Sequence, residues 1–128
     1  MRGTRTIAVV ALTILSGCLV NRPFYYYDSN LNNLTLGMSK ETLVSRFPAQ
    51  RSRVTFSPIL RAAKRQANGD LVEVLTLEMM AVSRVGITDY WFVFKNNKLE
   101  QWGKPEDWRT ASASYDINFN PAIGIRQP

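Results

Sequence analysis

The chain contains no histidine and one cysteine, Cys18. That excludes Ser-His-Asp and Cys-His nucleophilic catalysis, and the common zinc sites, all of which need imidazole or several thiolates. Carboxylates remain for proton transfer. Glu73, Glu78, Asp89, Glu100, Glu106 and Asp107 are scattered through the second half of the chain. Two acids can divide the work of acid and base when a fold brings them together. No spacing along this chain pairs them, so no catalytic residue is expected and the protein reads as a non-enzyme. The one thiol follows two small residues and an apolar run, a setting for lipid attachment rather than for catalysis or a disulfide.

The elements around Cys18 make that setting specific. Residues 1–6 carry Arg2 and Arg5 and no acid, and residues 7–15 are apolar apart from Thr13. A basic start, a short apolar stretch and small residues before the cleavage point are the layout of a secretory signal. Nine helical residues rise about 14 Å, which is too little to span a hydrocarbon core of about 30 Å. Leu15-Ser16-Gly17-Cys18 resembles a bacterial lipobox. The resemblance implies removal of residues 1–17 and a covalent lipid on Cys18, with no other cofactor and no metal. Two or more acyl chains anchor stably where one does not. Leu19 follows Cys18 where an inner-membrane lipoprotein of this type carries Asp, so the expected location is the outer membrane, facing the periplasm.

The rest is one domain in size. Loss of residues 1–17 takes Arg2 and Arg5 and leaves 14 basic against 10 acidic residues, a net charge of +4. That mild charge suits ordinary solubility, or a position beside anionic headgroups. No run of basic residues suggests nucleic acid, and no motif suggests a small-molecule substrate.

Residues 18–30 read as a lipidated tether, rich in turn formers and interrupted by Phe24-Tyr25-Tyr26-Tyr27. Aromatics this close to an anchor suit a membrane interface or a partner protein, or they fold back onto the domain. Leu31 and Leu34 suggest a short helix that ends at Gly37, a residue that takes the left-handed cap conformation readily. Ser39 is placed as the N-cap of a second helix over residues 39–47, with Leu43, Val44 and Phe47 on one face and Pro48 as its stop. Residues 71–80 form a strand in which Glu73 and Glu78, an odd number apart, face opposite ways. Residues 89–95 are the strongest strand, apolar on both faces and so central. Asn96-Asn97 makes a two-residue turn into residues 98–102. Residues 53–66 are ambiguous: Ser57-Pro58 followed by Arg61-Ala62-Ala63-Lys64-Arg65 favours a helix, while Asn68-Gly69 just before a strand favours a hairpin. Residues 109–128 read as a tail, mobile or loosely docked through Tyr115, Ile117 and Phe119.

Leu34, Leu36, Gly37-Met38-Ser39 and Glu41 opening a helix, Pro48 behind it, and Trp91-Phe92-Val93-Phe94 with Leu99 resemble the SmpA/OmlA (BamE-like) outer-membrane lipoproteins. The resemblance spans residues 31–102. It departs where the family carries Gly and this chain carries Arg46, and in the long spacer before the hairpin. It implies an α+β fold, with two short N-terminal helices packed on a small three- to four-stranded antiparallel sheet over residues 31–108. It also favours the hairpin over the helix at residues 53–66. The function implied is an interaction or structural module in outer-membrane assembly or envelope integrity. No binding residue of the family matches one to one; by residue type, the chain's own contact candidates are its aromatic and basic side chains Tyr25, Tyr26, Tyr27, Arg61, Lys64, Arg65, Trp102 and Trp108, with an envelope protein as partner. The alternative is a periplasmic binder of anionic lipid or of a cell-wall ligand.

Overall fold

The computed structural model describes residues 25–49, 56–82 and 86–121. The leader, Cys18 and Phe24 lie outside the described residues. The chain forms β1 (Tyr26–Tyr27), a 3-10 turn (Asp28–Asn33), α1 (Lys40–Arg46), β2 (Ile59–Arg65), β3 (Leu71–Met80), β4 (Ile87–Lys95), β5 (Lys98–Gly103), a second 3-10 turn (Pro105–Asp107) and α2 (Trp108–Ser112).

The strands make one sheet in which β3 and β4 are central and β5 is one edge. The other edge is shared end to end. β2 pairs antiparallel with the first part of β3, Arg65 opposite Leu71 and Ile59 opposite Thr76. β1 then pairs parallel with its end, Tyr26 opposite Met79. Local propensity in Arg61-Ala62-Ala63-Lys64-Arg65 loses to this pairing, because a helix there would leave the backbone groups on that edge of β3, away from β4, without strand partners. The hairpin turns through Gly69 at φ +92°. β4 and β5 join through Asn96 and Asn97 at φ 50° and 63°, the positive-φ pair that a tight hairpin needs. These two asparagines also clip the turn to its surroundings. Asn97 Oδ1 accepts from the Lys40 backbone N–H at 3.1 Å, and Asn96 Oδ1 from that of Leu71 at 3.0 Å.

The expected layout of two N-terminal helices on a purely antiparallel sheet is overturned. One α-helix lies between β1 and β2, β1 pairs in parallel, and α2 follows the last strand. Ser39 caps α1 as expected, its hydroxyl accepting from the Thr42 N–H at 3.1 Å. The other expected helix is the 3-10 turn. Leu31 and Leu34 are both buried, and their spacing of three matches the three residues per turn of a 3-10 helix. Asp28 holds that turn to the sheet end, accepting from the Val82 N–H and the Tyr90 hydroxyl at 3.0 and 3.1 Å. The backbone then extends along β5, Gly37 N–H donating to Leu99 O and Leu99 N–H to Met38 O, both at 2.8 Å. Gly37 takes φ +87°, so those residues cover a sheet edge instead of lengthening a helix.

The core is likewise double. On one face Leu31, Leu34, Leu43 and Phe47 pack on Leu75, Leu77, Met79, Tyr90, Phe92, Phe94 and Leu99. On the other, Val72, Val74, Trp91 and Val93 pack against Trp108 and Tyr115, joined by Ile117 and Phe119. Leu75 and Leu77 thus serve one layer and Val72 and Val74 the other. Residues 109–121, the described part of the expected tail, close the second. Gly103 is required there: a Cβ would lie 2.7 Å from Trp91 Cζ2.

Candidate functional site

β2 is the element around which the open surface is built. All its residues are exposed except Ala62, and Ile59 and Leu60 are 48 % and 52 % exposed. Among the described residues no strand pairs with its outer edge. Its register slips between Leu60 and Ala62, so Arg61 is the residue of a bulge. A bulge re-aims side chains; here it sends Arg61 over the face that carries Thr76, and Arg61 Nε donates to Thr76 Oγ1 at 3.0 Å.

A hollow opens on each side of this strand. On the α1 side is a groove of about 510 Å³ lined by Lys40, Val44, Pro58, Leu60 and Leu75. On the α2 side is a cleft of about 770 Å³. Its floor is Thr76 and Glu78 of β3 with Asp89 of β4. Ile59 and Arg61 of β2, with Tyr25 and Phe56, form one wall, and Glu106, Phe119 and Pro121 form the other. Tyr25 and Phe56 stack with ring centroids 5.5 Å apart.

The cleft holds the molecule's closest approach to acid–base chemistry. Glu78 and Asp89 are directly opposed across β3 and β4, which puts side chains on neighbouring strands within about 5 Å at Cβ. Asp89 Oδ1 is buried and, among the described residues, has no hydrogen-bond partner. Burial raises the Asp89 carboxyl above its ordinary pKa, the Glu78 charge adds to the rise, and Arg61 opposes it. Among the described residues no group of three or more His, Cys, Asp or Glu side chains could hold a metal ion. No helix among them is long and apolar enough to cross a membrane.

The contact candidates separate in space. Tyr25 lines the cleft. Tyr26 folds back, its ring 5.0 Å from Phe47 and its hydroxyl donating to Pro48 O at 2.7 Å. Tyr27 is 49 % exposed beside Met80. Lys64 pairs with Asp116, and Arg65 donates to Gly69 O at 2.8 Å. Arg61 turns into the cleft, so the three basic residues form no single patch. Trp102 packs at the margin of the α1-side core. Trp108 is buried at the centre of the α2-side core, 5.1 Å from Trp91 and 5.2 Å from Phe119 by ring centroids.

Sequence reasoning missed Thr76 and the pairing of Glu78 with Asp89. The signal was present. On one face of β3 the side chains run Val72, Val74, Thr76, Glu78, and on the matching face of β4 Val93, Trp91, Asp89. β3 turns polar at Thr76, opposite Trp91, and β4 one pair further, at Asp89 opposite Glu78, so both strands end their apolar run within one step, which marks where a buried face ends.

No family model, curated protein or solved structure matches the chain.

Proposed function

We propose that this is a lipid-anchored protein of the outer membrane, facing the periplasm, which works by contact and not by chemistry. Leu15-Ser16-Gly17-Cys18 behind a short basic and apolar leader supports the anchor. The contact reading is carried by one observation, the exposed outer edge of β2 beside an apolar groove. An extended segment of an envelope partner adds to such an edge through backbone hydrogen bonds, and the groove takes its alternate side chains. Lys64 and Arg65 suit a segment that carries acids. The resemblance to the SmpA/OmlA lipoproteins supports the same compartment through Gly37-Met38-Ser39, although the fold it implies is not the one described above. A second reading, a binder of cell-wall material, is favoured by the cleft. The acids there repel an anionic lipid.

Two measurements test this. Cys18→Ala should abolish palmitate labelling and release the protein from membranes; unchanged labelling ends the anchor reading. A photo-crosslinker at Leu60 or Lys64 should capture one envelope partner in cells, and Lys64→Glu with Arg65→Glu should remove the product. A crosslinker at Leu36, 62 % exposed and remote from the edge, is the control. Equal capture at Leu36 would mean that the edge is not the docking surface.

A further inference from the structure

The cleft carries two opposite charges side by side, and that combination selects a ligand. Thr76 and Glu78 are successive residues on one face of β3, about 7 Å apart along the strand. Arg61 is bonded over the first, and Asp89 opposes the second. Among the described residues the terminal nitrogens of Arg61 have no hydrogen-bond partner, and its Nε is held by Thr76. The guanidinium therefore presents a fixed fork, the geometry that takes a carboxylate through two parallel bonds. At the next level, among the described residues, Asp89 Oδ1 lacks a donor and the Glu78 carboxylate lies opposite it; an ammonium offers three. A simple cation would be repelled by Arg61 and a simple anion by the acids, so each charge rejects what the other accepts. Tyr25, Phe56, Ile59 and Ile87 supply apolar lining beside these charges, and Glu106 adds an acid on the far wall.

We propose that the cleft binds the head group of a free α-amino acid with an apolar side chain: carboxylate on Arg61, ammonium on Glu78 and Asp89, side chain against Tyr25, Phe56, Ile59 and Ile87. The ammonium and carboxylate of an amino acid leave one carbon, which matches two charged subsites on adjacent levels of one sheet face. A peptide terminus has only one of the two charges at that carbon. The site is distinct from strand addition at β2, which uses the backbone of the strand's outer edge and the groove on the α1 face, whereas the cleft lies on the α2 face.

The test uses the full chain in detergent, with leucine, leucinamide and N-acetylleucine as probes, followed by calorimetry and by the amide resonances of Thr76 and Asp89. Leucine should bind saturably, at least about tenfold more tightly than either analogue, since each lacks one charged contact. Arg61→Met should erase the advantage of leucine over leucinamide only, and Asp89→Asn its advantage over N-acetylleucine only. Lys64→Glu with Arg65→Glu should leave leucine binding unchanged, which separates this site from the strand edge. Leucinamide binding as tightly as leucine would show a site for a peptide N-terminus and overturn the proposal. N-acetylleucine binding as tightly would show one for a C-terminus and do the same. So would the absence of saturable leucine binding at millimolar concentration. If a variant fails to fold, the comparison of three ligands on the unsubstituted protein decides alone.

Discussion

The two faces of the sheet are built from the same strands and end differently. On the α1 face apolar side chains are buried from Leu75 to Met79 of β3 and from Phe94 to Tyr90 of β4, and the start of β3 adds the buried Glu73. On the α2 face Trp91, Val93, Val72, Val74 and Trp108 fill one half, and beyond Thr76 and Asp89 the face is open and polar. At the level of Glu78 and Asp89 the first face is still packed, with Leu77, Met79 and Tyr90 buried, while the second gives way to a cleft. A strand that is apolar on both faces at one end and on a single face at the other is therefore a sheet with a site at the second end.

The largest expected effect tests whether both halves are true cores. Phe92→Ala removes a ring that is fully buried and should cost about 3–5 kcal/mol in urea unfolding. Trp108→Ala should cost about as much and should also release the residues that follow α2, which rest on it through its indole N–H bond to Phe119 O at 2.7 Å. A cost for Trp108→Ala below about 1 kcal/mol would reduce the α2 face to a loosely draped segment.

A smaller effect probes Glu73, a buried charge on the filled face. Glu73 is 6 % exposed among apolar neighbours and accepts from Lys40 Nζ at 2.7 Å. Removing only Lys40 leaves that carboxylate without its cation, so Lys40→Met should cost about 2 kcal/mol. Lys40→Met with Glu73→Leu should recover most of it. Failure to recover would show that the pair stabilises α1 against β3 beyond satisfying a buried charge.

The smallest effect belongs to the open face and has a pH signature. Asp89 has a raised pKa in the fold, so the folded protein holds its proton more tightly than the unfolded chain. Stability is then reduced as pH rises from the ordinary carboxylate value through the raised one. Asp89→Asn should stabilise the protein at neutral pH, by no more than about 1 kcal/mol, and the gain should vanish in acid. A gain that persists in acid would assign the effect to packing instead of charge. On the filled face no substitution of an apolar core residue should show such a pH dependence.

The elements legible in the sequence are those whose causes lie within a few residues. Ser39 caps α1 because its hydroxyl reaches an N–H three residues on, and Asn96-Asn97 turns because asparagine tolerates positive φ. The double-sided apolar pattern of residues 89–95 placed β4 at the centre of the sheet. Residues 31–36 were misjudged because a spacing of three fits a 3-10 turn as well as a helix, and the deciding bonds come from Val82, Tyr90 and Leu99. Arg61-Ala62-Ala63-Lys64-Arg65 left strand and helix open, because only β3 supplies the pairing that overrides local propensity.

The cleft belongs wholly to tertiary structure. Arg61, Glu78 and Asp89 come from three strands, and their meeting depends on a bulge at Arg61 and on an unbroken register from Val72 to Met80. A slip of one residue would turn every one of these side chains to the other face. What the sequence determined alone was chemistry it forbids, through the lack of histidine and a single thiol, together with the caps, turns and alternations that act locally. Which charges become neighbours was decided by the sheet, because pairing partners far apart along the chain are chosen by the burial of both faces at once and by no short stretch of residues.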